Sequence, residues 1–287
     1  VVIGLSELHR VIETVPVVRR DGAPVALGGE DFETQFFAPL PVKVKVAVTA
    51  SELNDLRVIM NDATAVAAWR SAKLEQIRRT VRLTTEAMCA TVLTTGSISW
   101  PKQLEGGRTE TYSIDYGDPH TLGTKLAADS KISEVYDLLV TMEEKIQMAG
   151  VGGSAEFWCG KDVFKVLMDM AQGYLSTADQ RMIKVELGAG QISIGGYVIH
   201  VLNETYPDPS GTWVPKLNAK TLMAVAKDVP GTIWYCALDS ISANLAALPL
   251  HIVPIQSLDD SSITLIAQSK PVPARPPKAT CLCVAVA

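Results

Sequence analysis

The feature that most limits the folds open to this chain is one apolar stripe that runs through residues 62–94. Its members recur every three or four positions, which is the spacing of one face of an α-helix. They are Ile77, Val81, Thr84, Met88 and Val92. Asn61 or Asp62 can cap this helix, and Gly96 ends it. Helices in globular domains average about three to four turns, so this longer helix predicts a spine that crosses a flat subunit.

The remaining faces of the predicted helix are charged, and basic residues outnumber acidic ones. Glu75 lies three and four positions before Arg78 and Arg79, which are the spacings that support ion pairs on a helix. We therefore expect a solvated face. Its charged residues are Arg70, Lys73, Glu75, Arg78, Arg79, Arg82 and Glu86.

Turn-forming residues divide 12–48 into strand segments. Segments 14–18 and 32–37 are rich in strand formers, and an Asp-Gly-Ala-Pro and a Gly-Gly sequence lie between them. We predict a long β-hairpin, followed over 42–48 by a half-buried strand with alternating apolar residues. Two strands rarely stand alone in water, so a projecting hairpin would gain stability by docking on a neighbour. The charged residues at its tip are Arg19, Arg20, Asp21, Glu30 and Asp31.

The middle of the chain mixes strands and helices. Strand formers on both sides of a Gly-Gly pair predict a second hairpin over 97–116. Residues 131–148 carry apolar side chains at helical spacing, with Ser130 as a cap and Gly150 as a stop. A shorter amphipathic helix is predicted over 162–171. Strands are predicted over 155–159, 191–194, 197–203, 221–225 and 232–237. Together these elements predict an α+β fold.

The end of the sequence changes character. Residues 263–268 and 279–287 predict strands, and the segment 271–277 between them is proline-rich. Proline has no N–H to donate to a ladder, so we interpret 271–277 as a stiff connector. A ligand for a proline-recognition domain is the alternative interpretation. Cys281 and Cys283 fall on one face of the last strand, and we expect both in a core, since free cysteines are commonly buried.

Composition excludes several classes of protein. Hydrophobic residues make up 47% and charged residues 20%, which is typical of a globular chain. The formal net charge of -5 argues against a dedicated nucleic-acid binder, whereas the inner wall of a DNA container need not grip a polyanion. No apolar run approaches the roughly 20 residues of a transmembrane helix. The sequence starts at Val1 without a signal-peptide pattern, and we expect further residues upstream.

Motifs of catalysis and of cofactor or metal binding do not match, so we expect no cofactor, no metal and no enzyme activity. Gly160-Lys161 resembles the end of a phosphate-binding loop, but the residues on both sides break the motif. The odd count of 5 cysteines suits a reducing compartment better than a disulfide framework. A hydrolase in which Cys159 or Cys236 works with His200 stays open, because the sequence does not show which side chains meet.

A polar loop over 204–217 surrounds Trp213 and follows Tyr206. Two interpretations stay open. Trp213 is buried beneath an ordered turn, or the loop faces neighbouring subunits, since Trp and Tyr are favoured at interfaces.

An ordered series of segments in the last third of the chain resembles one protein family. The series reads I-G-G-Y-V-I-H-V-L-N-E-T-Y, G-T-W-V-P-K, G-T-I-W-Y-C-A-L-D, A-A-L-P-L-H-I-V-P and L-I-A-Q-S-K-P-V-P. It resembles the C-terminal half of the lambda-type phage major capsid (major head) protein family E, whose subunits have the fold named after phage Hong Kong 97. The likeness is strongest over 190–273 and weaker over 12–160. The order of the segments carries it, and no single segment is diagnostic.

The resemblance implies a layout for the subunit. Residues 1–11 would be a remnant of an N-terminal arm, and 12–48 the extended hairpin loop that lies across an adjacent subunit. Residues 49–129 would form a peripheral domain with the long helix as its spine, and 130–240 an axial domain around the capsomer axes. Residues 241–287 would return to the peripheral domain. The subunit-interface candidates are Arg19, Arg20, Asp21, Glu30, Asp31, Glu75, Arg78, Arg79, Arg82, Tyr206 and Trp213.

The function that the resemblance implies is that of the major capsid protein of a tailed double-stranded DNA bacteriophage. Copies of the chain would assemble as hexamers and pentamers into an icosahedral head that encloses the genome without sequence-specific binding. Scaffolding, portal and decoration proteins are the further partners it implies, with the virion capsid as location, assembly in the host bacterial cytoplasm, and no membrane contact. The alternatives that stay open are an encapsulin-type cargo nanocompartment, another phage structural part such as a tail subunit, and the Cys/His hydrolase.

Overall fold

The structure is a computed structural model that describes residues 3–4, 36–37, 39–52, 63–104, 107–127, 129–177, 183–256 and 262–286. Backbone contacts divide the chain into two compact units, each assembled from separate stretches of sequence. The first unit consists of Val1–Ile3, Phe37–Cys89 and Thr232–Ala274. The second unit consists of Gly4–Phe36, Ala90–Gly231 and Arg275–Ala287. Residues 5–35 lie outside the described residues, and with them lie nearly all of the predicted hairpin and its charged tip with Arg19, Arg20, Asp21, Glu30 and Asp31.

The long helix α1 spans Ala63–Thr95 and confirms the helix predicted over 62–94. The predicted stripe is its buried face, and each of its four fully buried members is at most 6% exposed. They are Ile77, Val81, Met88 and Val92. The predicted cap lies outside the described residues. Gly96 ends the helix with a φ of 69°, and a side chain there would overlap the carbonyl oxygen of Gly117.

An antiparallel three-stranded sheet lies in the first unit. Its strands are β3 (Val42–Thr49), β15 (His251–Gln256) and β16 (Ser262–Ser269). β16 is central and pairs with β3 along its whole length. Along β3, half-buried or buried valines alternate with exposed residues, so the half-buried strand predicted over 42–48 is confirmed. The short strands β1 (Ile3–Gly4) and β2 (Phe36–Phe37) precede it in the chain.

A second ladder in the first unit pairs β14 (Thr232–Tyr235) with β17 (Pro271–Ala274). All of β17 is buried, so the interpretation of 271–277 as a connector alone is wrong for its first half. The two prolines of β17 occupy alternate positions. In an antiparallel pair only every second residue donates to the partner strand. The residues that alternate with the prolines can therefore form the hydrogen bonds of the ladder.

A mixed sheet of seven strands forms the centre of the second unit, counted over the described residues. The strands are β6 (His120–Leu122), β7 (Ala155–Cys159), β8 (Val185–Gly188), β9 (Gln191–Ile194), β10 (Tyr197–Val201), β13 (Thr221–Ala226) and β18 (Thr280–Val284). Their order across the sheet is β6-β18-β13-β7-β10-β9-β8. The predicted strands of this region are confirmed with small shifts at their ends, while β6 and β8 are additions.

Two helices pack on one face of this sheet, α2 (Ile132–Met148) and α3 (Lys161–Thr177). The helix side of the core contains Val135, Leu139, Met142, Val163 and Leu167. The sheet side contains Phe157, Ile199, Leu222, Cys281 and Cys283. Both cysteines are 0% exposed, which confirms their predicted place in a core. The combination of helices and sheets confirms the predicted α+β class.

The ends of these helices differ from the prediction. Lys131 is the residue that precedes α2, and no described side chain caps the helix there. The cap predicted at Ser130 is wrong, because the Ser130 hydroxyl accepts a hydrogen bond of 3.2 Å from the N–H of Ala127 instead. α3 extends beyond the predicted 162–171, since apolar side chains continue to pack on the core in its last turns. Gly150 follows α2 with a φ of 70°, as expected of a helix stop.

Two hairpins complete the second unit as described. The first pairs β4 (Ser97–Gln103) with β5 (Thr109–Asp115) and confirms the hairpin predicted over 97–116. The second pairs β11 (Thr205–Pro207) with β12 (Trp213–Pro215).

Gly160 belongs to the segment that resembles the end of a phosphate-binding loop, and its backbone contacts explain why the residue is a glycine. It connects β7 to α3, and its N–H donates to the carbonyl oxygen of Thr221 at 2.9 Å. A Cβ atom at this position would lie 2.5 Å from the carbonyl oxygen of Ala219. The glycine therefore permits a close approach of two backbone segments.

Candidate interaction surfaces

An open groove of about 750 Å³ lies in the first unit between α1 and β14. From β14, Ile233 and Tyr235 line it, and they are 41% and 37% exposed. We call it the arginine groove, because three arginines line it from α1. It brings together the predicted interface residues Glu75, Arg78, Arg79 and Arg82.

Ion pairs within the arginine groove are long and exposed. Arg78 Nη1 lies 4.0 Å from Glu75 Oε2, and Arg82 Nε lies 3.9 Å from Glu86 Oε1. The exposed fractions of these four side chains run from 46% to 83%. Pairs of this kind contribute about 0 to 1 kcal/mol. Arg79 forms no ion pair with another described residue. Among the described residues the three guanidinium groups are therefore exposed and at most weakly paired.

A buried lysine holds a turn in the first unit. The Nζ of Lys270 donates to both carboxylate oxygens of Asp239, at 3.0 and 2.9 Å, and to the carbonyl oxygen of Ala237 at 3.0 Å. The Lys270 side chain is 4% exposed, whereas that of Asp239 is 64% exposed. The hydrogen bond from Lys270 holds the pKa of Asp239 below its usual range. This pair fastens the backbone just before residue 240.

The turn that follows, residues 240–246, presents apolar side chains to solvent. Ile241 is 93% exposed and Leu245 is 63% exposed. Asn244 and Leu245 have φ angles of 49° and 55°, in the left-handed region, which is uncommon for a bulky residue such as leucine. The Leu245 N–H donates to the Ser240 carbonyl oxygen, and the Ser242 hydroxyl lies 3.0 Å from Nε2 of His251. We call this segment the apolar turn.

The loop between β11 and β12 is ordered by one carboxylate. Asp208 Oδ1 accepts hydrogen bonds from the Ser210 hydroxyl at 2.6 Å and from the N–H groups of Ser210 and Thr212 at 2.9 Å. These bonds, the Ser210 hydroxyl first, lower the pKa of Asp208. The backbone of this exposed loop is therefore held by hydrogen bonds to one side chain.

Trp213 and Tyr206 lie on opposite sides of the β11–β12 hairpin. Trp213 is 68% exposed, so the interpretation of a tryptophan buried beneath the turn is wrong. Tyr206 pairs with Val214 and is only 8% exposed, with its ring 6.4 Å from that of Trp100. Alternate residues of a strand point to opposite sides, which places Trp213 outward. Tyr206 thus has little surface left for a neighbouring subunit.

A second groove, of about 540 Å³, lies in the second unit. The last turns of α1, β12, the residues after β12 and the end of β18 line it with mostly apolar or small side chains. Among them are Ala90, Val214, Pro215, Leu217, Leu282 and Val284. Val284 is 48% exposed. We call this the apolar groove.

The geometry contradicts a nucleophile pair made of Cys159 and His200. Cys159 lies in the core on the helix side of the sheet, together with Ile199. His200 follows Ile199 in β10 and therefore points to the other face, where its ring lies 5.2 Å from that of Trp158. Burial raises the pKa of the Cys159 thiol to about 12 and also raises that of Cys236. Neither thiol resembles an activated nucleophile.

The described residues contain neither a metal-binding cluster nor a membrane-spanning helix. No group of three or more His, Cys, Asp or Glu side chains comes close enough to hold a metal ion in that part of the chain. None of the described helices combines the length and the apolar character needed to cross a membrane.

Comparison with solved structures establishes the fold. A prophage capsid protein from E. coli CFT073 is similar with a TM-score of 0.60 and 15% sequence identity, over 90% of this chain and 81% of that one. The capsid of a native GTA particle has a TM-score of 0.48 and 9% identity, over 100% and 84% of the two chains. The mature capsid of bacteriophage PhiM1 has a TM-score of 0.47 and 12% identity, over 96% and 79%. The fold is that of Hong Kong 97-like phage capsids.

Sequence comparison identifies the family. Residues 1–284 match the family described as phage major capsid protein E, and the chain belongs to that family. None of the curated proteins matches the sequence. The resemblance noted from the C-terminal segments is confirmed, and neither the cargo compartment nor the hydrolase is favoured.

Sequence reasoning missed the apolar turn and the Lys270–Asp239 pair. Gln-Ser-Lys-Pro at 268–271 stood out only as part of the family resemblance, and it holds the lysine of this pair. The exposure of Ile241 has no signal in the sequence, because an apolar residue is expected inside.

Proposed function

We propose that copies of this capsid protein assemble, as hexamers and pentamers, into a closed icosahedral head that encloses double-stranded DNA. The family match over residues 1–284 carries this proposal. Assembly takes place in the cytoplasm of the host bacterium, and the shell then forms part of the virion. Closed symmetry repeats each subunit contact many times and fixes which surfaces meet.

The proposed layout follows the family. Residues 130–240 lie around the capsomer axes, and 49–129 with 241–287 form the periphery. The segment 12–48 extends over an adjacent subunit, and 1–11 belongs to an arm that precedes it. Scaffolding, portal and decoration proteins are further partners in the proposal.

The arginine groove suggests how the extended segment is received. We propose that Glu30 and Asp31 of one copy pair with Arg78, Arg79 and Arg82 of the next. The groove supports this because its own ion pairs are long and its arginines are exposed. Such pairs give register and association rate more than affinity. In the same proposal, opposite charges of the neighbour pair with Arg19, Arg20 and Asp21. Glu75 belongs to the same contact. Trp213, which is exposed, provides an apolar contact.

Electron microscopy of the purified protein, with sizing by light scattering, tests the assembly. Closed polyhedral shells that contain nuclease-protected DNA after expression in an infected host are the expected result. Shells that contain protein cargo and no DNA would point to a cargo compartment. A stable monomer of about 31 kDa under all assembly conditions would contradict the proposal.

Charge reversal tests the contact. Arg19→Glu with Arg20→Glu is expected to disrupt shells while the subunit stays folded, as is Glu30→Arg with Asp31→Arg. Adding Arg78→Glu and Arg79→Glu to the second variant should restore shells, because the opposite charges are exchanged. Arg70→Glu, on the same helix about two turns earlier, is the matched control and should have little effect. Normal shells from either double variant alone, Arg19→Glu with Arg20→Glu or Glu30→Arg with Asp31→Arg, would refute the proposed pairing.

A further inference from the structure

The apolar turn and the apolar groove are complementary in chemistry. Ile241 and Leu245 are among the most exposed large aliphatic side chains of the described residues, at 93% and 63%. They extend from one short turn, four positions apart. The groove has mostly apolar walls and about 540 Å³ of space. This volume is many times the roughly 30 Å³ that one water molecule takes in the liquid.

Backbone conformation at the apolar turn indicates that the exposure is imposed by the fold. A leucine in the left-handed region is strained, and strain of this kind persists only where surrounding bonds determine it. Here Leu245 donates to the Ser240 carbonyl oxygen, and Ala246 donates to that of Ala243. The Lys270–Asp239 pair fixes the backbone just before the turn. A docking element held this way loses little conformational freedom on binding.

Charge does not oppose contact between the two surfaces. The carboxylate nearest the turn, Asp239, is already paired with Lys270. The lysine that lines the groove, Lys216, is paired with Glu204 at 2.5 Å. Docking therefore leaves no charge newly buried without a partner, which would otherwise be costly.

We propose that the apolar turn of one copy of this chain docks in the apolar groove of another copy. The contact is heterologous, because the two surfaces differ, and repeated heterologous contacts build rings where the rotation between copies closes. Two side chains in one groove bury far less than the roughly 1,200 Å² of a stable two-protein interface. This area fits one of many weak contacts in a shell of identical subunits better than a separate soluble partner. The inference rests on the proposed assembly and adds one of its contacts.

Removal of the apolar side chains is the first test. Ile241→Ser with Leu245→Ser is expected to raise the protein concentration at which shells form by about tenfold or more. Moving one aliphatic side chain out of water changes an equilibrium constant by more than about tenfold. Circular dichroism and thermal unfolding of the subunit should not change. Met148→Ser is the matched control, because Met148 is 81% exposed and lies elsewhere, at the end of α2. An unchanged threshold in the double variant would overturn the inference.

Cross-linking identifies the receiving surface. Chains with Leu245→Cys are mixed with chains with Pro215→Cys, a residue exposed at the groove, and oxidised. The expected product is a disulfide between positions 245 and 215 of different chains, found by mass spectrometry. Unmodified chain under the same oxidation gives the background from half-buried Cys89. A disulfide between two copies of position 245, or no product above background, would overturn docking in this groove. If unmodified chains form no shells at all, the proposed function fails, and a 245–215 product in smaller oligomers still supports the contact.

Discussion

Replacing Asp239 by alanine is expected to destabilise the first unit more than removing the charge of its partner does. Lys270 Nζ has three acceptors in the described structure, and Asp239 supplies two of them at 3.0 and 2.9 Å. The lysine side chain is 4% exposed, and that of the aspartate is 64% exposed. Loss of the aspartate therefore leaves a buried ammonium group, whereas loss of the lysine leaves a carboxylate in water.

The magnitudes follow from this asymmetry. Asp239→Ala removes hydrogen bonds to a buried charge and is expected to cost about 2 to 3 kcal/mol. Lys270→Met leaves only the Ala237 carbonyl oxygen without its partner and is expected to cost about 1 kcal/mol. Adding Lys270→Met to Asp239→Ala should therefore recover about 1 to 2 kcal/mol. Because the pKa of Asp239 is lowered, the contribution of the pair is complete above about pH 4 and is lost as pH falls through that lowered pKa.

Two measurements on the unassembled subunit check this order. Urea unfolding of the unmodified chain, the two single variants and the double variant gives the free energies of unfolding. Hydrogen exchange at the Cys236 N–H gives a local readout, since that N–H donates to the Lys270 carbonyl oxygen at 3.0 Å. If Asp239→Ala costs less than Lys270→Met, or if the second substitution fails to recover stability, the lysine is not a buried charge that depends on Asp239.

The remaining predictions concern other residues of the chain. Gly160→Ala should destabilise by about 2 kcal/mol or more, because its Cβ would lie 2.5 Å from the backbone oxygen of Ala219. Gly173→Ala, in helix α3 with open space around it among the described residues, should instead stabilise by about 0.5 to 1 kcal/mol in thermal unfolding. Burial, and then Lys278 and Lys145, lower the pKa of His120 from 6.5, so the unfolded chain binds the proton first and stability should fall as pH drops below about 6.5. A pH series of urea unfolding should show this slope, and His120→Gln should flatten it. Burial raises the pKa of Cys159 and Cys281 to about 12, so iodoacetamide should label half-buried Cys89 in the folded protein and reach those two only after unfolding, as read by mass spectrometry.

Contrary outcomes are equally clear for this group. Equal stability of the two glycine variants would refute the close approach at Gly160. A slope that persists in His120→Gln would assign the pH dependence to another group. Fast labelling of Cys159 in the folded protein would place that thiol outside the core.

Periodic patterns predicted those elements in which one face is buried. The stripe of α1, the stripe of α2 and the alternation along β3 each correspond to one packed side, so their bounds and burial follow the sequence closely. Short strands such as β6 are held by pairing with a distant segment. Three residues carry too little pattern to reveal that pairing.

The errors have local physical causes. Ser130 has the right chemistry for a helix cap, but the N–H of Ala127 competes for its hydroxyl. The proline content of 271–277 favours a connector. The two prolines of β17, however, occupy alternate positions, and this spacing permits a paired strand because only every second residue has to donate a hydrogen bond.

The candidate surfaces were predictable only in part. The charge of Arg78, Arg79 and Arg82 is visible in the sequence, but the opposite wall of the groove comes from β14, far along the chain. Tyr206 and Trp213 look equivalent as aromatic loop residues. Which of them is exposed depends on the register of β11 with β12, which no local pattern fixes.

The position of β18 has a consequence for how the protein is made. This strand follows all other described strands in the chain, yet it lies between β6 and β13 in the sheet. While residues 280–284 are still inside the ribosome, β6 has no partner and one edge of β13 stays open among the described strands. A prematurely terminated chain would keep that defect, and unpaired edges invite aggregation and degradation. Only chains that extend through β18 can therefore complete this sheet.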